Sequence, residues 1–356
     1  LILKLYADGM IDGVRVDHVD GMADPRGYCR KLRRRLEGLT RHRPATAPKG
    51  HPLLLIEKIL APHEKLRLDW MVDGTTGYNF MDEVSGVLHD PAGAEPLAAT
   101  WHAMTGRPAD FGEEAREARR QILRYNLASE LNATSFALRR IAMRDLATRD
   151  FTLTGIRRAL TEVLVHFPAY RSYLGLAGRS EADRRLLDWA IAGARRTIRE
   201  TDRPLLDLLD SWLGGDPPRT LPHAQRRERQ RAAIRFQQLS APVAAKSVED
   251  TAFYRYGRLI SRNEVGSEPS HFAETPAAFH SDCRDRARYF PNEMLATATH
   301  DTKRGEDTRA RLAVISEMPE EWAATLTRWT RLNSVLRKEV DGEPAPDATD
   351  EIMLLQ

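Results

Sequence analysis

A chain of 356 residues with 42% hydrophobic and 29% charged residues has an ordinary globular balance and enough apolar side chains for a sizeable core. Its formal net charge of +3 is small for this length, which argues against a nucleic-acid or membrane-surface partner. Two cysteines, Cys29 and Cys283, stand in no metal-ligand spacing; they could form one bond, but two thiols in a reducing cytosol is the reading adopted.

No apolar run approaches the roughly 20 residues that span a bilayer. Residues 1–6 are short and lack both a basic leader and an initiating Met, so the chain reads as a piece of a longer protein. Up to about residue 85, short strand candidates alternate with helix and turn signals. Val14 and Val16 alternate with Arg15 and Asp17, and Leu53-Leu54-Leu55-Ile56 is a continuous apolar run. Between them Asp24 and Pro25 form an N-cap and first turn, opening a helix to about Leu39 with Tyr28, Leu32 and Leu36 inward. The string Arg30-Lys31-Leu32-Arg33-Arg34-Arg35-Leu36 on that helix reads as a solvated basic face. A Pro-containing linker over 43–50 leads to the second strand, and strand, helix, strand in one direction predicts a parallel sheet.

From about 87 to 240 the spacing turns helical, over 110–150, 154–173, 181–212 and 224–239. Turn signals such as Gly214-Gly215-Asp216-Pro217-Pro218 separate these stretches, and no fixed period marks a solenoid. Strand-like runs return at 242–248 and 294–299. Helices are predicted over 308–318 and 320–340, a polar loop over 341–350, and a new helix from Glu351.

Several strand candidates end in an acid: Gly13-Val14-Arg15-Val16-Asp17-His18, Leu54-Leu55-Ile56-Glu57-Lys58 and Ala298-Thr299-His300-Asp301. Parallel barrels gather catalytic groups at the C-terminal ends of their strands, because those ends share one mouth. Carboxylates collected there suit glycosidic-bond chemistry, which needs one ionised nucleophile and one proton-holding acid. Singly, each acid has a plainer reading: Asp17 as a turn or cap residue, Glu57 as a surface residue flanking a strand, His300 and Asp301 as an ordered polar pair. The ordered set weakens those readings.

That set resembles the α-amylase family of glycoside hydrolases, whose nucleophile strand reads G-x-R-x-D. Asp17-His18-Val19-Asp20-Gly21, Glu57-Lys58-Ile59-Leu60-Ala61-Pro62 and Val72-Asp73-Gly74-Thr75-Thr76-Gly77-Tyr78 carry the likeness further. So do Val248-Glu249-Asp250-Thr251-Ala252-Phe253-Tyr254-Arg255-Tyr256 and the string from Ala298 through Asp307. Together they are similar to the maltooligosyl trehalose synthases of that family, clearly over 9–90 and 240–315 and more loosely between.

The resemblance implies an α/β fold: part of a (β/α)8 TIM barrel, in the region of its strands 4 to 7, with a large α-helical insertion. Residues 1–86 and 241–356 would be barrel segments and 87–240 the insertion, with the N-terminal half of the barrel and a C-terminal β-domain missing. The implied reaction is a retaining intramolecular transglucosylation that turns the reducing-end α-1,4 bond of a maltooligosaccharide into an α,α-1,1 bond, an isomerase activity of trehalose biosynthesis. The catalytic groups implied are Asp17 as nucleophile, Glu57 as acid/base and Asp301 as transition-state stabiliser. Arg15, His18, Lys58, Asp73, Thr75, Tyr78, His300, Lys303 and Arg304 are implied to bind substrate, in a cytoplasmic enzyme needing neither metal nor cofactor. The alternatives are an α-amylase-family glucan hydrolase or transferase, a catalytically inactive fragment of the synthase, and a helical interaction module over 87–240.

Overall fold

Three parallel strands carry the candidate acids. In the computed structural model, which describes residues 1–175, 178–215 and 221–356, a short helix α1 (Ile2–Ala7) precedes strand β1 (Gly13–Val16). Helix α2 (Pro25–Thr40) then crosses to β2 (Leu53–Ile56), and β3 (Gly74–Thr75) completes the order β1-β2-β3. Val16 lies opposite Ile56, and Ile56 opposite Thr75. The predicted βαβ unit is therefore present, and β3 is a strand the sequence reading did not count.

Asp24 caps α2 as expected, its carboxylate accepting from the Gly27 amide at 2.9 Å. The buried stripe of that helix is displaced, however, to Pro25, Cys29, Arg33 and Leu36, while Tyr28 is 44% exposed. The reason is Arg33, which is no part of a solvated face. Its guanidinium donates to the Met71 carbonyl at 2.8 Å, to the Pro52 carbonyl and to the Asp73 carboxylate at 2.6 Å, so the cation is buried fully partnered.

The chain continues through α3 (Tyr78–Val87), α4 (Ala94–Thr105), α5 (Phe111–Tyr125), α6 (Ala128–Ala142), α7 (Leu153–Val165), α8 (Glu181–Thr197), α9 (Arg203–Asp210) and α10 (His223–Ala244). Helices α5 to α10 enclose one apolar core that includes Leu138, Ile156, Leu160, Leu186, Leu206 and Phe236. A capping box at Ser180 and Asp183 starts α8. Of the predicted turn signal after α9, residues 216–218 lie outside the described residues.

Neither strand expected after the helical stretch forms. Residues 242–244 close α10, with Pro242 inside it, and 245–249 continue as a wider helical turn. Ala241, Ala244 and Ala245 favour helix, and the Ser247 hydroxyl bonds back to the Val243 carbonyl at 2.5 Å. Residues 294–299 run without strand pairing. They lie against the start of α3, where a β-carbon on Gly77 would stand 2.7 Å from the Met294 carbonyl oxygen, and the Arg309 guanidinium takes the Thr297 carbonyl.

Four helices follow: α11 (Pro276–Tyr289), α12 (Glu306–Ala313), α13 (Pro319–Asn333) and finally α14 (Ala348–Leu355), the last close to its expected start. The helix predicted over 320–340 stops at Asn333. Residues 338–345 instead form an antiparallel hairpin, β4 (Lys338–Val340) with β5 (Glu343–Ala345), turned by Asp341 and Gly342 at φ 53° and 85°. The described residues are thus mostly helical, around one three-stranded parallel sheet and one small hairpin.

Candidate active site at the strand ends

Asp17 and Glu57 each follow the last register pair of adjacent strands. The Glu57 amide donates to the Val16 carbonyl at 2.8 Å, so the ladder reaches the acids themselves. Neighbouring strands lie about 4.8 Å apart, which sets the two backbones side by side. Arg15, two residues before Asp17 and on the same strand face, donates from Nη1 to its Oδ1 at 2.6 Å. Asp17 is 70% exposed, so this pair orients the carboxylate more than it stabilises the fold. The Glu57 carboxylate accepts from the backbone amide of His18, a non-glycine residue in the left-handed region at φ 45°, ψ 53°.

Asp301 reaches the same neighbourhood from the far end of the chain. Its Oδ2 accepts from the Tyr78 hydroxyl at 2.6 Å, and its Oδ1 stands 3.4 Å from Nε2 of the exposed His300. Tyr78, the first residue of α3, is 1% exposed. Its burial, the hydrogen bond to Asp301 and the charges of Asp301 and Glu57 all push its phenol well above the usual value, so it remains a proton donor. Asp301 therefore holds the Tyr78 hydroxyl, a phenol that also feels the charge of Glu57, and Asp17 stands next to Glu57 through strand register, with its own carboxylate turned to Arg15.

A fourth acid belongs to this neighbourhood. Glu249 accepts from the Tyr170 hydroxyl, and burial lifts its carboxyl to about 7; Tyr170 and Lys303 oppose that rise, while Asp250 and Asp301 add to it. Its signal was present in the sequence, as an acid inside the family-like string from Val248 to Tyr256. Lys303 stands with its Nζ 5.0 Å from the Tyr254 ring centroid. The Lys303 and Arg304 amides both donate to the buried Glu264, at 2.6 and 2.9 Å, which fixes the backbone just after Asp301.

Three residues expected to touch substrate are committed elsewhere. Lys58 is 4% exposed, and its Nζ is held by Glu64 at 2.8 Å and Asp20 at 3.5 Å. Burial alone would lower its pKa, but these two carboxylates outweigh it and keep the ammonium charged. Asp73 sits toward the opposite end of the sheet, its amide donating to the Leu54 carbonyl and its carboxylate accepting from the Leu54 amide and Arg33. Thr75 is fully buried within β3, where its hydroxyl bonds Glu293 at 2.6 Å. In each case a buried partner took a polar group that the motif string alone left free.

Among the described residues, no group of three His, Cys, Asp or Glu is placed to hold a metal ion, and no helix is long and apolar enough to cross a membrane. What the arrangement offers is four acids, one protonated phenol and flanking cations, groups suited to acid/base and nucleophilic chemistry.

No protein-family model matches the chain. Putative maltooligosyl trehalose synthases from two strains of Mycobacterium tuberculosis are 35% identical to it over 358 residues, covering 100% of this chain and 40% of the relative. The structure of maltooligosyltrehalose synthase from Arthrobacter ramosus superposes with a TM-score of 0.79 at 35% identity, over 99% of this chain and 40% of that one. The structure of a hypothetical maltooligosyl trehalose synthase from Sulfolobus tokodaii gives 0.67 at 26% identity, over 97% of this chain and 38% of that one. The likeness read from the motif strings thus extends along the whole chain, including the helical stretch where the strings were looser, and the chain spans about 40% of the length of these relatives.

Proposed function

We propose that these residues form the catalytic portion of a maltooligosyl trehalose synthase, an isomerase that moves the terminal glucosyl linkage of a maltooligosaccharide from α-1,4 to α,α-1,1. The observation that carries this reading is the parallel register that sets Asp17 beside Glu57, with Asp301 bonded to the Tyr78 hydroxyl, whose phenol feels the charges of both Asp301 and Glu57. Glu57 protonates the glycosidic oxygen of the reducing-end bond. Asp17 attacks the anomeric carbon, the carbon–oxygen bond to the terminal glucose breaks, and a glycosyl ester forms on Asp17. A retaining double displacement requires the two carboxyl groups about 5–5.5 Å apart, a spacing that adjacent strand ends can supply.

In the second half, the released glucose stays bound and turns so that its own anomeric hydroxyl attacks the ester. Glu57 now takes the proton, and the α,α-1,1 bond forms with net retention. Asp301 and His300 hold hydroxyls of the reacting sugar, and the negative charge of Asp301 counts most as the oxocarbenium-like state develops. Arg15 orients the nucleophile through its 2.6 Å pair with Oδ1. Lys303 and Arg304 line the side nearest Asp301. Water must be excluded during the turn, since it would divert the ester to hydrolysis.

On this reading the three strands belong to a (β/α)8 barrel, 87–240 is an insertion, and Cys29 and Cys283 are free thiols in a cytoplasmic enzyme. Among the described residues β1 pairs on one side only, whereas a closed barrel pairs both edges of every strand. That favours a second reading in which these residues by themselves are inactive. Both are tested by incubating maltopentaose with the chain alone and with a chimera in which the chain replaces the matching segment of the Arthrobacter ramosus relative. A non-reducing pentasaccharide from the chimera supports the synthase. Glucose and shorter reducing dextrins support a hydrolase, and robust turnover by the chain alone refutes the inactive reading.

A further inference from the structure

His18 follows the proposed nucleophile, and the resemblance implies that it binds substrate. Its geometry assigns it another task. A non-glycine residue in the left-handed region carries a conformational cost, sustained only where the surroundings over-determine it. The surroundings here are a short turn, Val19–Gly21, whose backbone is held from outside. Arg171 donates to the carbonyls of Asp20 and Met22, both at 2.6 Å, and Gln238 of α10 donates to the carbonyl of Gly21 at 2.9 Å. The Tyr173 hydroxyl binds the Asp20 carboxylate, which also faces the buried Lys58 ammonium.

Three successive carbonyls of the turn are thus gripped by side chains from the helical stretch. The imidazole completes the arrangement by lying over Gly21, where any β-carbon would stand 2.5 Å from its Cδ2. What this fixed turn delivers is one backbone N–H, aimed at Oε2 of Glu57.

We propose that His18 is a positioning residue that works through its backbone: the gripped turn locks it in the left-handed conformation so that its amide holds the Glu57 carboxyl in place beside Asp17. The helical stretch would then be part of the site's machinery, connected to the acid/base through Arg171, Tyr173 and Gln238. The inference rests on the proposed function for its catalytic meaning, but the contact itself can be read without turnover.

The test follows the backbone amide resonance of residue 18 in the isotope-labelled 356-residue chain across the carboxyl titration range. In the wild type this amide moves downfield as a carboxylate ionises, and Glu57→Gln abolishes the movement. His18→Gly, which adopts positive φ without strain, keeps the movement, whereas His18→Val, β-branched and excluded from that region, loses it while the remaining amides show an intact fold. Tyr173→Phe, which only loosens the grip, leaves a smaller movement. An amide 18 that ignores Glu57→Gln, or a movement lost equally in the Gly and Val variants, overturns the proposal. Intact coupling in a chimera that forms no non-reducing product would instead sink the function proposed above and leave the backbone contact standing.

Discussion

Replacing Arg33 by Met tests whether the basic helix α2 is anchored by a buried cation. The guanidinium is 2% exposed and makes three bonds: to the Met71 carbonyl at 2.8 Å, to the Pro52 carbonyl, and to Asp73 at 2.6 Å. Met keeps most of the apolar stem, so the change isolates the loss of these bonds. Removing one member of a buried ion pair costs about 3–5 kcal/mol, because the remaining charge stays buried without its counter-ion. Asp73 keeps the Leu54 amide at 2.7 Å and His51 at 3.2 Å, which moderates that penalty, while two backbone carbonyls lose their donor. The expected loss is therefore about 3–5 kcal/mol, a large share of the roughly 5–15 kcal/mol that stabilises most folds. Urea unfolding followed by tryptophan fluorescence measures it, with Arg34→Met on the exposed side of the same helix as control, expected within about 0.5 kcal/mol of wild type. Equal midpoints for the two variants would return the whole basic string to a solvated face.

Tyr78→Phe removes the hydroxyl that holds the Asp301 carboxylate; a hydrogen bond to a charged group of about 1.5–3 kcal/mol implies a kcat for transfer lowered roughly 10- to 100-fold, read in the chimera with maltopentaose. For Glu249 the folded value of about 7 lies above the ordinary 4.5, so the folded state binds the extra proton between them. Its contribution is fully present below about 4.5 and is lost as pH rises to about 7. Glu249→Gln removes that decline, which unfolding curves across this window will show. His89 behaves in the opposite sense: burial, with Arg262 nearby, holds it down at about 4 from an ordinary 6.5. Stability from the neutral ring is full above about 6.5 and is lost as pH falls to about 4. His89→Gln flattens this acid-side loss, and a variant as acid-sensitive as wild type would contradict the assignment.

Much of the candidate site is legible because its chemistry is local. Asp17 and Glu57 end strands whose apolar patterning is plain, and Asp24 with Pro25 marks a helix start by side-chain chemistry alone. The unread parts depend on partners far away in sequence. Nothing near Arg33 announces Asp73, and without that partner an inward arginine is implausible, so Tyr28 was placed inward instead. Lys58 stands beside the proposed acid in sequence and so reads as a ligand for sugar, but Asp20 and Glu64, distant or unremarkable in the string, hold it in the fold. The run 242–248 has strand-like hydrophobicity but alanine-rich helical propensity, and the helix arriving from His223 decided the contest. Strand β3 is two residues long, too short for any periodicity. The hairpin at the end was signalled by Asp341-Gly342, which the sequence reading passed over in favour of a loop.

In the proposed mechanism Asp17 forms the glycosyl ester while Glu57 handles the proton. In the chimera carrying Glu57→Gln, an activated maltosyl fluoride supplies its own leaving group, so the ester can form without the acid, while its breakdown, which needs the base, is slowed. Intact mass followed by peptide mapping then reports where the sugar resides. A maltosyl increment is expected on the peptide containing Asp17, absent when Asp17→Asn is added. A label on Asp301 or Glu249, or no label from a chimera that still binds maltodextrin, would contradict that mechanism.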